Sequence, residues 1–128
     1  MYRNNYMSYA KGVIINNIVS DEKKQGCDKI FSSIMGFETP YTIGLKNEDK
    51  GFQPDVIIVR KDTIDLFSIE TNIEKKVSKV DLERWRLFRI FAKANNGNLF
   101  LAGSAHNLKI IKDSIDSIPS NLKFIHLQ

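Results

Sequence analysis

The chain has 128 residues, of which 42% are hydrophobic and 27% charged, with a net charge of +4; this suits one domain with a buried core and not a disordered chain. Its apolar runs are too short to span a bilayer, and its first residues lack the long apolar stretch of a signal peptide. The single cysteine excludes an internal disulfide and a cysteine-based metal cluster, so we expect a cytoplasmic protein without a membrane partner.

The first part of the chain predicts two helices. Residues 6–19 suit a helix, although their apolar residues would also suit a strand. Ser20 is typical of a helix N-cap, and the acidic residues after it suit a first turn. From Cys27 to Ile34 the apolar residues recur at i, i+3, i+4 and i+7, which predicts a buried helical face that ends at Gly36.

Three strands are expected next. Residues 39–45 form the first, and a polar, turn-like segment over 47–51 follows it. Residues 55–60 form the second, which holds four β-branched residues in a row and is apolar on both faces, as in a sheet that is covered on both sides. A tight turn leads to the third strand over 63–70, so the second and third strands form an antiparallel hairpin.

The second half of the chain predicts alternating helices and strands. Ser78 and Asp81 give the helix over 78–95 a capping-box-like start, and Asn96-Gly97 ends it. The elements that follow are a strand over 98–103, a helix over 104–117 that Pro119 breaks, and a strand over 121–127. Strand–helix–strand units need right-handed crossovers, so the later strands should be parallel to their neighbours. This order predicts an α/β fold, a three-layer sandwich around a mixed sheet.

Two carboxylates of the hairpin stand out, because Asp55 begins the second strand and Glu70 ends the third. The start of one antiparallel strand lies beside the end of the other, so the two acids should meet at one edge of the sheet. Carboxylates brought together in an apolar setting are unfavourable unless a cation joins them. Hard divalent cations such as Mg²⁺ prefer oxygen ligands of this kind. Taken singly, each acid would more simply be a solvated or turn-capping residue.

These residues resemble the active-site motif of the PD-(D/E)xK nuclease superfamily. The resemblance is carried by Pro54-Asp55 and by the run Ser-Ile-Glu-Thr-Asn over 68–72. The predicted element order over 20–103 is also similar to the αβββαβ core of that superfamily. On this interpretation residues 1–128 form a single nuclease-like domain, with an extension over 1–19 and an added helix and strand over 104–128.

The resemblance implies a nuclease that hydrolyses DNA phosphodiester bonds with Mg²⁺, or with Mn²⁺ in its place. Carried over by position, Asp55 and Glu70 would be the catalytic metal ligands, and Thr71 would add a backbone carbonyl. Gln53 would be a further polar contact, and Glu22 an extra acid on the metal side. The resemblance also implies a homodimer, since small domains of this type often need two copies to address both strands of DNA.

The motif departs from the superfamily at its lysine, whose place Asn72 takes. A neutral amide can orient a water molecule but supplies no positive charge. The missing charge would come from Lys76, Lys75 or Arg84, in that order, because the two lysines follow Glu70 closely; equally, both lysines would suit a solvated surface.

Basic residues concentrate in and around the helix over 78–95. Seven of them, against three acidic residues, lie between positions 72 and 93. One side of the helical wheel carries a basic stripe, which consists of Lys79, Arg86, Arg89 and Lys93. The opposite arc is apolar and consists of Val80, Leu87, Phe88, Ile90 and Phe91. Together with Arg84 the stripe would suit a DNA backbone, or it is a solvated helix face. Trp85 lies at the border between the basic and apolar sides of the helix. We expect it to pack in the core rather than to stack on nucleic-acid bases.

Two alternatives to an active nuclease stay open at this point. One is a catalytically weakened member of the same fold, which binds nucleic acid or a protein without cutting and which Asn72 favours. The other is an α/β interaction protein in which Asp55 and Glu70 are structural. Cys27 is expected to be a buried small hydrophobe, and His106 and His126 are expected at the surface without the third partner of a zinc site.

Overall fold

The computed structural model describes residues 3–45, 51–71, 73 and 76–127. Side chains are described from residue 11 onward within these ranges. In chain order the helices and strands are α1 (Arg3–Gln25), β1 (Lys29–Ser32), β2 (Ile43–Gly44), β3 (Gly51–Phe52), β4 (Val56–Val59), β5 (Ile64–Ile69), α2 (Lys79–Ala94), β6 (Leu99–Ser104), α3 (Ala105–Asp113) and β7 (Leu122–Leu127). Of the helices in these ranges, none combines the length and the apolar character that a membrane span requires.

The main sheet has five strands in the order β1-β4-β5-β6-β7. β1, β4 and β5 are antiparallel to one another in turn, whereas β5, β6 and β7 are parallel, as the crossover rule predicts. Helix α1 packs Ile15 and Val19 against one face of the sheet. Helices α2 and α3 pack on the other face, where Phe88 and Leu108 are fully buried. The fold is therefore the predicted α/β three-layer sandwich around a mixed sheet.

The predicted helix over 20–36 is wrong. Helix α1 continues to Gln25 and ends at Gly26, which has a φ of 90° and donates its N–H to two carbonyls of the last turn. The chain then forms β1, in which Ile30 packs toward α1 and Phe31 toward α2. A short strand with partly buried apolar residues on both faces can show the same spacing of apolar residues as one face of a helix, so this spacing alone gave the wrong prediction. The boundary at residue 19 consequently falls inside α1, which is a core helix and not an extension.

The predicted strand over 39–45 is reduced to β2. It pairs with β3 in a separate two-stranded sheet, and Ile43 packs into the core on the α2 side. Of the turn predicted over 47–51, residues 47–50 lie outside the described residues, and Gly51 begins β3. In the main sheet, β1 takes the place of the expected first strand. The helices and the strands of this sheet therefore still follow the predicted order along the chain, which is helix, three strands, helix, strand, helix and strand.

Helix α2 begins as predicted, with both hydrogen bonds of the capping box between Ser78 and Asp81. After the helix, Asn96 has a φ of 60°, and Gly97 packs against the start of β5 so closely that a Cβ there would lie 1.8 Å from the Ile64 carbonyl oxygen. Helix α3 is shorter than the predicted 104–117 and is capped by Ser104. Just after β5, the side chain of Glu70 contacts Arg84 and Trp85 of α2.

Candidate active site

A cleft of about 250 Å³ lies at the end of the sheet where β4 begins and β5 ends. Its polar lining comes from α1, from the β4–β5 hairpin with the segment before it, and from the first turns of α2. These residues include Lys11, Gln53, Asp55, Ser68, Glu70 and Arg84. Asp55 and Glu70 therefore face one space at one end of adjacent antiparallel strands, as the hairpin predicts.

Asp55 is fixed at the end of the β4–β5 ladder. Its N–H donates to the Phe67 carbonyl at 2.9 Å, one residue out of the register in which Val56 pairs with Phe67. Its side-chain Oδ2 accepts the Ile69 N–H at 2.7 Å, and Oδ1 lies 3.1 Å from the Lys11 Nζ. One carboxylate oxygen thus replaces a backbone acceptor, while the other is paired with a lysine from α1.

Glu70 is buried, with only 4% of the residue exposed, and three donors surround its carboxylate. Arg84 donates Nη2 to Oε1 at 2.6 Å. Ser68 donates its hydroxyl to Oε2 at 2.5 Å, and Trp85 donates Nε1 to the same oxygen at 3.1 Å. Arg84 also pairs with Asp81 at 3.1 Å. The negative charge of Glu70 is therefore balanced and hydrogen-bonded inside the fold, as a buried charge requires.

The backbone of Glu70 is held from the other side by the junction of β6 and α3. Its N–H donates to the Ala102 carbonyl at 2.7 Å, and its carbonyl accepts the Asn107 Nδ2 at 3.0 Å. A Cβ at Gly103 would lie 3.2 Å from the same carbonyl, which is a tight contact. The side chain of Glu70 is consequently directed toward α2.

Of the other predicted site residues, some line the cleft and others do not. Thr71 lines the cleft, and so does Gln53, whose Nε2 donates to the Pro40 carbonyl at 3.0 Å. Glu22, which was predicted as an extra acid near Asp55 and Glu70, instead pairs with Arg60 at the opposite end of β4 and does not line the cleft. Lys76 is exposed and does not line the cleft. Asn72 and Lys75 lie outside the described residues.

The basic stripe on α2 is mostly open to solvent. Lys79, Arg86 and Lys93 are exposed, whereas Arg89 is half-buried. The apolar arc is less complete than predicted, because Val80 and Ile90 are 58% and 40% exposed. Arg84 is held against Glu70 and Asp81 and is not part of the open surface. Trp85 belongs to the core, as expected, and its hydrogen bond to Glu70 adds a polar role.

The residue that sequence reasoning missed is Lys11. It precedes the buried Ile15 and Val19 by four and eight residues, so it lies on the face of α1 that is turned toward the sheet. This position, and not any motif, is the signal that identifies it. The two histidines are exposed as expected, whereas Cys27 is only partly buried.

Within the described residues, no three His, Cys, Asp and Glu side chains come together as a ready-made metal cluster. Three acids line the cleft, Asp55, Glu70 and Asp81, together with the neutral polar side chains of Gln53, Ser68 and Thr71. Comparison of the chain with protein-family models, with curated proteins and with solved structures finds no match.

Proposed function

We propose that the chain is a nuclease domain of the PD-(D/E)xK type, which hydrolyses DNA phosphodiester bonds with Mg²⁺. The observation that carries the proposal is the cleft that Asp55 and Glu70 line together from adjacent antiparallel strands. The order of helices and strands in the main sheet fits the core of that superfamily. A fold alone does not imply a function, so the proposal depends on the chemistry of the cleft.

The side chains of the cleft suit a hard divalent cation. The carboxylates of Asp55 and Glu70 are the oxygen ligands that Mg²⁺ prefers, and the Thr71 carbonyl would complete the protein's contribution. Lys11 pairs with Asp55, while Arg84 pairs with Glu70 and also with Asp81, so two cations face three carboxylates in the cleft. A divalent ion held by Asp55 and Glu70 would take the place of Lys11 and Arg84 at these two carboxylates, and the excess of negative charge in the cleft favours its binding.

The chain's own residues would orient the reaction. When bound, Mg²⁺ would supply stabilisation of the charge that develops on the phosphoryl oxygens. The Ile69 N–H directs Asp55, while Ser68 and Trp85 direct Glu70, so both carboxylates are positioned before a substrate arrives. The Asn107 side chain fixes the point at which β5 ends.

Helix α2 would supply the affinity for nucleic acid. Its exposed basic side chains, Lys79, Arg86 and Lys93, suit contacts with phosphates that do not depend on base sequence. Arg84 and Trp85, on the inward side of the same helix, contact Glu70, so a strand bound along α2 would lie near the cleft. On the pattern of the superfamily we propose DNA as the partner and a homodimer in the cytoplasm as the acting form.

Single-turnover cleavage of single- and double-stranded DNA in Mg²⁺ or Mn²⁺ tests the function. Asp55→Asn and Glu70→Gln should each lower the cleavage rate by at least about 100-fold, because stabilisation of the transition state by a metal is worth several kcal/mol. Asp113→Asn changes an exposed acid of α3 outside the cleft and should cleave like the wild type. Wild-type rates in either cleft variant would contradict the proposal.

A second candidate is a member of the same fold that binds nucleic acid or a protein without cutting. It is favoured by the full set of donors around Glu70, which leaves this carboxylate satisfied without a metal, and by Asn72 at the place of the lysine. An Asn72→Lys variant discriminates between the two. Cleavage by this variant and not by the wild type would favour the non-cutting protein. If neither cleaves and neither binds Mn²⁺, the two acids are structural.

A further inference from the structure

Lys11 brings a second positive charge into the cleft from the layer opposite to Arg84. Its Nζ lies 3.1 Å from Asp55 Oδ1, and 47% of the side chain remains exposed. It is carried by α1, which packs on the other face of the sheet from α2. An ammonium group at this position borders both the Asp55 carboxylate and the open space of the cleft.

The two cations of the cleft differ in how freely they could contact a substrate. Arg84 is bound to Glu70 and Asp81, and only 22% of its side chain is exposed. Its second partner, Asp81, lies three residues earlier on the same helix and would still hold Arg84 when a metal ion replaced it at Glu70. Lys11 has a single ion-pair partner among the described residues, and its charge sits at the end of a flexible stem.

We propose that Lys11 is a catalytic residue whose ammonium group contacts a non-bridging oxygen of the scissile phosphodiester. This assignment rests on the proposed nuclease function. Lys11 would supply the positive charge that is missing at Asn72, the position of the motif lysine. In the reaction the oxygen of a water molecule bonds to phosphorus and the bond from phosphorus to the leaving oxygen breaks. The proton lost by the water is balanced by one gained by the leaving oxygen, so a phosphate monoester and an alcohol result. Lys11 stabilises the negative charge of the transition state and is not consumed.

The kinetic test uses Lys11→Met and Lys11→Arg, with Lys24→Met as the control at an exposed position near the end of the same helix. Lys11→Met should lower kcat by about 100-fold or more, the effect of removing one preorganised donor to the transition state. Its KM should change by less than about threefold, because the interaction is made mainly in the transition state. Lys11→Arg should recover part of kcat, and Lys24→Met should match the wild type.

A second readout, Mn²⁺ affinity without DNA, separates chemistry from structure. Because Lys11 competes with a metal for Asp55, Lys11→Met should bind Mn²⁺ at least as tightly as the wild type. A kcat within about twofold of wild type in Lys11→Met would overturn the assignment, and so would a parallel loss of Mn²⁺ affinity, which would make Lys11 only a support for Asp55. If the wild type itself does not cleave, the proposed function fails and this assignment fails with it. Equal cleavage by wild type and Lys11→Met overturns the Lys11 assignment alone.

Discussion

At the scale of single residues, Glu70 shows how a charged group is accommodated beside the core. Trp85 and Ser68 donate to one oxygen of its carboxylate and Arg84 donates to the other. Trp85 is itself part of the core beneath α2. Desolvation of a carboxylate is offset only while such donors are in place, so loss of one partner costs more than one hydrogen bond.

The pair of Glu70 and Arg84 should be energetically coupled. We expect Glu70→Gln to lower the free energy of unfolding by about 2–3 kcal/mol, less than for a fully buried pair because Arg84 is partly exposed. The double variant with Arg84→Met should lose less than the sum of the two single losses, by about 1 kcal/mol or more. Urea unfolding of the four proteins measures this coupling.

The exposed pair of Lys109 and Asp113 on α3 provides the matched control for that cycle. Its members are both open to solvent, where screening and side-chain entropy cancel most of the attraction. We expect no measurable coupling there. Strictly additive effects at Glu70 and Arg84 would show that the buried pair is no stronger than this surface pair.

At the scale of helices and strands, two glycines differ in what their surroundings allow. Gly97→Ala should lower the free energy of unfolding by about 2–3 kcal/mol, because a Cβ would collide with the rigid backbone of Ile64. Gly12→Ala should raise it by about 0.5–1 kcal/mol, because Gly12 is exposed within α1 and a Cβ there meets no atom within 4 Å. Thermal and denaturant unfolding measure both. Equal effects at the two sites would contradict the close packing of the turn after α2.

The basic stripe of α2 should control DNA affinity through salt. Substituting Lys79 and Lys93 by Gln should weaken binding to all duplex sequences alike and flatten the log–log salt dependence by about 0.9 per lost phosphate contact. Lys24→Gln with Lys123→Gln removes the same charge from exposed positions on α1 and β7 and serves as the control. Fluorescence anisotropy at several salt concentrations gives the slopes. Identical slopes in both double variants would show that the stripe is a solvated face.

The sequence predicts the helices and strands best where local signals agree. The capping box at Ser78 and Asp81 and the β-branched run of β4 are local and strong, and both elements form as predicted. The stretch that became β1 was mistaken for a helix, because whether it pairs with β4 is decided by tertiary contacts and not by its own residues. The exposure of Val80 and Ile90 likewise depends on how far the rest of the fold covers α2.

At the scale of the whole molecule, the cleft is assembled from all three layers. The sheet supplies Asp55 and Glu70, α1 supplies Lys11, and α2 supplies Arg84. The carboxylate pair was predictable because a short hairpin connects its strands. Of the two cations, Arg84 was predicted only as the third candidate, after Lys76 and Lys75, and Lys11 was not predicted. Their contacts depend on how helices from opposite faces reach the same end of the sheet.

The central claim is that Asp55 and Glu70 hold one divalent metal ion together. Crystals of the protein soaked in Mn²⁺, examined by anomalous scattering at the manganese edge, test it most directly. The account predicts one strong peak per chain between the two carboxylates, with Lys11 and Arg84 displaced from their oxygens, and no such peak in Asp55→Asn crystals. A cleft without a peak at saturating Mn²⁺, with both ion pairs intact, would contradict it.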